Sequence, residues 1–251
     1  MTTPGWTPPS TLEEKLKRAF APPKLELARI VARELKKGEP ELRLAPFLLD
    51  PARAALDIGA NRGVWSHVLA RHCPRVFAFE PNPKMFAVLK AAAPANVECH
   101  HVALSDRDGT SELLVPRYGA GYSNQHGSLN PARVAGHEHG VVQVAARRLD
   151  SFDLPPIGFM KIDVEGHERA VIEGATALIA RDKPALIVEI EQRHTHEPVR
   201  ALTGRIEALG YEMFFLGPAG LTNGRAFDPE TMQRDPNDRR AYVNNFVFLA
   251  A

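Results

Sequence analysis

The chain is predicted to be an α/β protein built on a mostly parallel sheet with helices on both faces. From Ala54 onward, short apolar runs alternate with segments of helical period, the mark of repeated strand–helix–strand crossovers. Runs such as VFAFE (76–80) and LIVEI (186–190) are apolar on both faces, as strands covered on both sides are. The 251 residues, 44% apolar and 24% charged, suit one such domain with an appendage.

Each element has its own signal. Residues 1–10 carry three prolines and no period and are expected to be a disordered tail. Thr11, with Glu14 three residues on, forms a capping box for a helix to Phe20. A second helix over Lys24–Lys37 carries the stripe Leu25, Leu27, Ile30, Val31 and Leu35. Residues 11–50 thus read as a helical extension and 51–251 as the main domain. There, strands are predicted at 54–58, 75–80, 96–104, 159–164 and 185–190. Helices are predicted at 64–72, 84–93, 167–181 and 198–209. The closing strands, 211–216 and 242–249, lack a clear helix between them and predict an antiparallel hairpin at one sheet edge. Alternation breaks between 105 and 158, where GTSELLV and VVQVAARRL read as extra strands. They flank a long Gly/Asn/Ser-rich loop, of a length that often carries function.

Composition narrows the function classes. A net charge of +1 gives no global field for nucleic acid or anionic membrane, and no basic stripe is interleaved with aromatics. No apolar run approaches the ~20 residues of a membrane helix. The N-terminus lacks the pattern of a secretion signal. Cys73 and Cys99 lack CxxC spacing and read as buried free thiols. A cytoplasmic setting is expected.

The stretch LDIGANRG (56–63) places a glycine-punctuated turn at the end of the first strand, where open α/β sheets bind ligands. Its spacing is D-x-G-x-x-x-G, not the G-x-G-x-x-G of dinucleotide sites. Asn61 and Arg62 crowd the position where a pyrophosphate would need close backbone approach. Glu80 ends the next strand, 17 residues after Gly63, where a carboxylate can accept from both hydroxyls of a ribose. Ribose without pyrophosphate points to S-adenosyl-L-methionine. In ALSDRDG (103–109), Ser105 or Asp106 meets the adenine edge, or the segment is a plain Asx-type turn.

LDIGANRG, FAFEPNP (77–83), VALSDRDGTSEL (102–113), RRLDSF (147–152), PALIVEIE (184–191) and above all MKIDVEGHE (160–168) resemble the FkbM-type S-adenosylmethionine-dependent methyltransferases over roughly residues 50–195. The resemblance implies a Rossmann-like class I methyltransferase fold and methyl transfer, usually to a hydroxyl of a sugar or natural-product scaffold. It also implies that Asp57, Gly59, Asn61 and Gly63 wrap the methionine part of the cofactor and that Glu80 binds its ribose.

Asp163 ends the fourth strand and is expected, as a catalytic candidate, beside the cofactor's amino or methyl group. Glu165 and His167 follow at the mouth of the site, as catalytic candidates or, for Glu165 and Glu168, as helix caps. A helix N-terminus would lower the pKa of His167 and leave it neutral, fit to act as a base. Glu189 and Glu191 share one strand face and, with His194, are expected at the acceptor pocket. An Asp163–Glu189 or Glu191–His194 cluster offers donors for a divalent ion, but ordinary polar loop residues are the favoured reading and no metal is assigned. The 118–130 loop offers Tyr118, Tyr122, Asn124, Gln125, His126 and Ser128, a palette suited to sugars.

The expected partner is a small glycosidic or polyol-like acceptor, with no nucleic acid and no membrane. The N-terminal helices cover the pocket or mediate a homodimer. Competing readings are an N- or carboxyl-methyltransferase, an inactive cofactor-binding module, and an NAD-dependent oxidoreductase, the last disfavoured by the glycine spacing.

Overall fold

The computed structural model describes residues 6–9, 11, 21–119, 121–238 and 241–251. The helix expected over 11–20 lies outside the described residues apart from Thr11. Helix α1 spans Pro23–Lys37, with Leu27 and Val31 buried; α2 is the single turn Ala45–Leu48. Strand β1 (Ala54–Ile58) leads into α3 (Val64–Leu69), then β2 (Val76–Phe79), α4 (Pro83–Ala92) and β3 (Val97–His100).

The chain then leaves the main sheet. β4 (Ala103–Leu104), β5 (Gly109–Tyr118), β6 (Gly121–Tyr122) and β7 (His139–Arg147) form a small separate sheet in the order β4-β7-β5-β6. It returns as β8 (Ile157–Ile162), α5 (Glu168–Glu173), α6 (Thr176–Asp182), β9 (Ala185–Glu189), α7 (Gln192–Thr195) and α8 (Val199–Ala208). The fold closes with β10 (Tyr211–Gly217), β11 (Gly220–Asn223), α9 (Pro229–Met232) and β12 (Asn245–Ala250).

The main sheet has eight strands in the order β11-β10-β12-β9-β8-β1-β2-β3. β3, β2, β1, β8 and β9 run parallel; β12 and β10 add antiparallel partners. This is the Rossmann-like α/β arrangement expected, and strand order reverses between β1 and β8. One face packs against α5, α6 and α8 through Val171, Ile179 and Ile206. The other packs against α1, α3 and the 40–49 segment through Leu27, Val31, Leu42, Ala45 and Trp65, which meet Ala55, Phe159, Ile187 and Val247. The N-terminal extension therefore covers a sheet face and shares its hydrophobic core.

Several expectations need correction. The 211–216 and 242–249 strands pair antiparallel as expected, but neither is the outermost strand. β12 inserts between β9 and β10, and the edge belongs to β11, which folds back through the Gly217–Gly220 turn. The single strand expected over 96–104 is two, in different sheets. The helix expected over 167–181 breaks at Gly174–Ala175. There the Asp150 N–H bonds the Gly174 carbonyl at 2.9 Å, and the Asp150 carboxylate caps α6 at the Ala177 and Leu178 amides. Residues 6–9, expected in a disordered tail, are placed: Trp6 packs edge-on against Tyr122 with ring centroids 5.0 Å apart. Cys73 is buried and free, but Cys99 is only half-buried. Among the described residues, no helix is long and apolar enough to cross a membrane.

Candidate active site

The carboxyl ends of β1, β2 and β8 open into one cleft at the point where strand order reverses, as open α/β sheets arrange their ligand sites. Its walls include Gly59 and Asn61 after β1, Glu80–Asn82 after β2, Asp163–Glu165 and His167 after β8, and Asn124, Gln125, Gly127 and Leu129 from the inserted sheet. It holds about 670 Å³ of empty space, the open mouth included.

The β1 turn is built by backbone constraint. Gly59 has φ +82°, and a Cβ there would lie 1.7 Å from the Asp163 carbonyl oxygen. Only glycine lets the β1 and β8 ends meet this closely. Asn61 follows in the left-handed region with φ +50°, which asparagine tolerates better than most residues. This twist aims the Asn61 amide at Glu80.

The Glu80 carboxylate accepts from the Asn61 N–H (Oε2, 2.7 Å) and the Asn82 N–H (Oε1, 2.8 Å). Burial raises its pKa to about 7, although both backbone bonds oppose the rise. Each oxygen keeps a free lone pair. The Asn61 Oδ1 atom is buried on the same wall without a hydrogen-bond partner, the condition of an acceptor awaiting a ligand donor. These features fit the ribose and amino groups expected here.

The opposite wall is held by side chains. Glu165 has φ +55°. Its backbone carbonyl accepts from Ser128 Oγ at 2.6 Å and its Oε2 from Arg133 Nε at 2.8 Å. Burial, and then the nearby negative charge of Asp163, raise its pKa to about 7 against the pull of Arg133. Asn130 Nδ2 donates to the Gly166 carbonyl at 3.0 Å. Glu168 is the cap of this turn, accepting from the Val164 and Gly166 amides at 3.2 and 2.9 Å. His167 Nε2 lies 2.9 Å from Ser105 Oγ. Its pKa is lowered chiefly by burial.

Gly59, Asn61, Glu80, Asp163, Glu165 and His167 thus share the cleft wall, as do Asn124 and Gln125 of the 118–130 loop. The other expected site residues sit elsewhere. Asp57 points away from the cleft: 1% exposed, it accepts from Ser66 Oγ at 2.5 Å, and burial raises its pKa to about 6. It anchors the start of α3 instead of lining the pocket. Gly63 begins α3 in the left-handed region, behind the turn. Ser105 is buried behind His167 and also donates to the exposed Asp106 at 3.0 Å, so neither residue forms the pocket wall.

Tyr122 meets Trp6 edge-on, and His126 bonds Ser123 Oγ at 2.6 Å and meets Tyr118 edge-on. Glu189 accepts from Asn244, and burial followed by Asp163 raises its pKa well above the ordinary value. Glu191 is clamped by Arg193 and Tyr242. Beside it His194, with a pKa lowered to about 4 by burial, lies 3.5 Å from Glu191 and 3.7 Å from Glu165. Among the described residues no group of three or more His, Cys, Asp or Glu side chains could hold a metal ion.

Two contributors were missed in the sequence. Asn82 caps α4 from the cleft wall and bonds Asn124 at 3.2 Å; the Asn-Pro pair in FEPNP is a helix-start signature that could have shown it. Arg133 had no sequence signal, because its contact with Glu165 spans 32 residues.

Residues 57–213 match the family model described as the methyltransferase FkbM domain. The chain belongs to the FkbM methyltransferase family. It is 27% identical over 150 residues to the hexuronic acid methyltransferase AglP of Haloferax volcanii, covering 57% of this chain and 59% of that relative; the match thus spans about three-fifths of the relative's length. Among solved structures, it is similar to an FkbM methyltransferase from Methylobacillus flagellatus (17% identity, 93% of this chain and 60% of that one, TM-score 0.48). It is also similar to a Bacillus cereus O-methyltransferase in complex with SAH (15% identity, 96% and 97%, TM-score 0.48).

Proposed function

We propose that this FkbM-family chain is an S-adenosylmethionine-dependent methyltransferase that methylates a hydroxyl oxygen on a sugar or similar small molecule. The observation that carries the reading is the pairing, across one cleft, of a ribose-type carboxylate with a second carboxylate of near-neutral pKa. Glu80 is immobilised by two backbone amides with lone pairs to spare, and Glu165, with a pKa of about 7, lines the same cleft. The relative that acts on a hexuronic acid supports a sugar as acceptor.

In this reading Glu80 holds the ribose hydroxyls, and Asn61 Oδ1 and the Gly59 turn hold the methionine part. S-adenosylmethionine, when bound, supplies an electrophilic methyl group on a cationic sulfur, open to in-line displacement by an acceptor oxygen. Glu165 takes the proton of the acceptor hydroxyl. Its pKa places it close to neutral, where a base balances availability against strength, and Arg133 fixes the direction of its carboxylate. Asp163 lines the floor between the two carboxylates. His167, neutral and tied to Ser105, orients the rim. Asn124 and Gln125 hydrogen-bond the acceptor. Holding oxygen and methyl in line can supply up to ~7–11 kcal/mol of the barrier, so much of the catalysis is assigned to this shape.

Calorimetry with S-adenosylmethionine, S-adenosylhomocysteine and NAD tests the cofactor. Binding of the first two and not the third is expected, and binding of NAD alone would overturn the reading. Transfer of a labelled methyl group to free hexuronic acids and neutral sugars then tests the acceptor. Label appearing only as a base-labile methyl ester would replace O-methylation of a hydroxyl by carboxyl methylation.

A further inference from the structure

A lysine stands near the carboxyl end of a wholly buried strand of the sheet. Every residue of β8 is buried, and Lys161 is 1% exposed. An uncompensated ammonium in such a place is costly. Its Nζ donates to Asn245 Oδ1 at 2.8 Å, stands over the Trp65 ring at 5.5 Å and lies 3.8 Å from Asp163 Oδ2. Strand alternation turns Lys161 toward the face that carries Phe159 and Trp65, so it reaches the cleft floor from below.

Charged groups converge on it from several elements. Asp163 follows its own strand, Glu189 comes from β9, Asp57 from β1, and Glu39 and Glu41 from the N-terminal extension. Glu39 also accepts from Trp65 Nε1 at 3.2 Å. Beyond Asp163, the cleft adds Glu165, paired with Arg133, and Glu80. Burial alone would push the Lys161 ammonium toward neutrality, but Asp163, Glu39, Glu189 and Glu41 together hold its pKa above the ordinary value.

We propose that Lys161 is a positioning residue for Asp163: from beneath the cleft it supplies the counter-charge that orients this carboxylate toward the ligand. Among the carboxylates of the cleft wall, Asp163 is the one with a cation beneath it, whereas Arg133 serves Glu165 and backbone amides serve Glu80. Lys161 itself does not reach the reacting atoms. The extension, through Glu39 and Trp65, closes the chamber in which it sits. This inference rests on the reading of Asp163 as a cleft carboxylate in a methyl-transfer site.

A double-mutant cycle on the full chain tests it, with S-adenosylhomocysteine affinity by calorimetry as the readout. K161M is expected to weaken binding about fivefold to tenfold, K161R to restore it, and K161M made in the D163N background to cost nothing further, the coupling of two groups in contact. Equal losses from K161M with and without Asp163, or no rescue by K161R, would overturn the proposal. If K161M does not fold, K161Q, which keeps a donor to Asn245 without the charge, takes its place in the same cycle. Losses that add while the wild-type chain binds strike the proposal and leave the methyltransferase reading standing; failure of S-adenosylhomocysteine to bind the wild-type chain would strike that reading and the proposal with it.

Discussion

The two walls of the cleft are built by different means. On the β1–β2 side, Glu80 is gripped by backbone amides of Asn61 and Asn82, both close in sequence to the strand ends. On the β8 side, Glu165 is gripped by side chains of the inserted segment, Ser128 and Arg133, across 37 and 32 residues. A backbone grip needs only turn geometry, and it holds the Glu80 acceptor carboxylate in one fixed orientation, which suits the cofactor side of the proposed site. A side-chain grip can change with the insertion, which suits the wall that must recognise a particular acceptor.

The largest effect that can break this comparison is on catalysis. E165Q keeps the shape of the wall but removes the proton acceptor. It should lower kcat about 10²–10⁴-fold, read by single-turnover transfer of labelled methyl; a loss below about threefold would take the role of base from Glu165. In the wild type, a base with a pKa of about 7 must lose its proton to act, so kcat should climb as pH rises through about 7 and then level off. A flat profile between pH 6 and 8 would point to a different base.

G59A tests the other wall. A left-handed alanine costs roughly 1–2 kcal/mol, and a Cβ 1.7 Å from the Asp163 carbonyl oxygen adds a collision. Denaturant unfolding should show a loss larger than the backbone term alone. S128A should cost about 1–3 kcal/mol, because it strands the half-buried Glu165 carbonyl and the Asn130 amide. Its loss of protection from hydrogen exchange should fall on residues 124–134 and 163–167, leaving 59–63 and 80–82 as in wild type.

A further predicted effect is a pH dependence of stability. The Glu80 pKa rises from 4.5 to about 7 on folding, so the native state holds this proton more tightly than the unfolded chain. The resulting stability is complete below about 4.5 and is lost as pH rises through about 7. E80Q has no such proton. Its melting temperature relative to wild type should therefore improve between pH 5 and pH 8, and a constant difference would show that Glu80 does not titrate with folding.

The same contrast explains what could be read from the sequence. Strand–helix alternation and the G-x-x-x-G turn are local, so β1, the Gly59 turn and Glu80 were legible. Period alone could not show that Asp57 faces Ser66 and α3 instead of the cleft, although a serine in the first turn of that helix is a hint. β12 looked like an edge strand because its hydrophobic run says nothing of which neighbours it joins; insertion between β9 and β10 is a matter of long-range pairing. The loop residues facing the cleft were only partly legible. Asn124 and Gln125 reach the wall, while Tyr122 turns toward Trp6, a contact across 116 positions. The buried Lys161 lay in plain view inside MKIDVEGHE, but its partners Asn245 and Glu39 come from opposite ends of the chain.

The central claim is that Glu80 binds the cofactor and Glu165 serves the acceptor. Calorimetric titration of S-adenosylhomocysteine into E80Q and E165Q, side by side with wild type, separates the two roles. The account predicts that E80Q weakens binding about tenfold to a hundredfold, the worth of a charged acceptor at ~1.5–3 kcal/mol, and that E165Q binds as wild type. Wild-type affinity in E80Q, or equal losses in both variants, would contradict it.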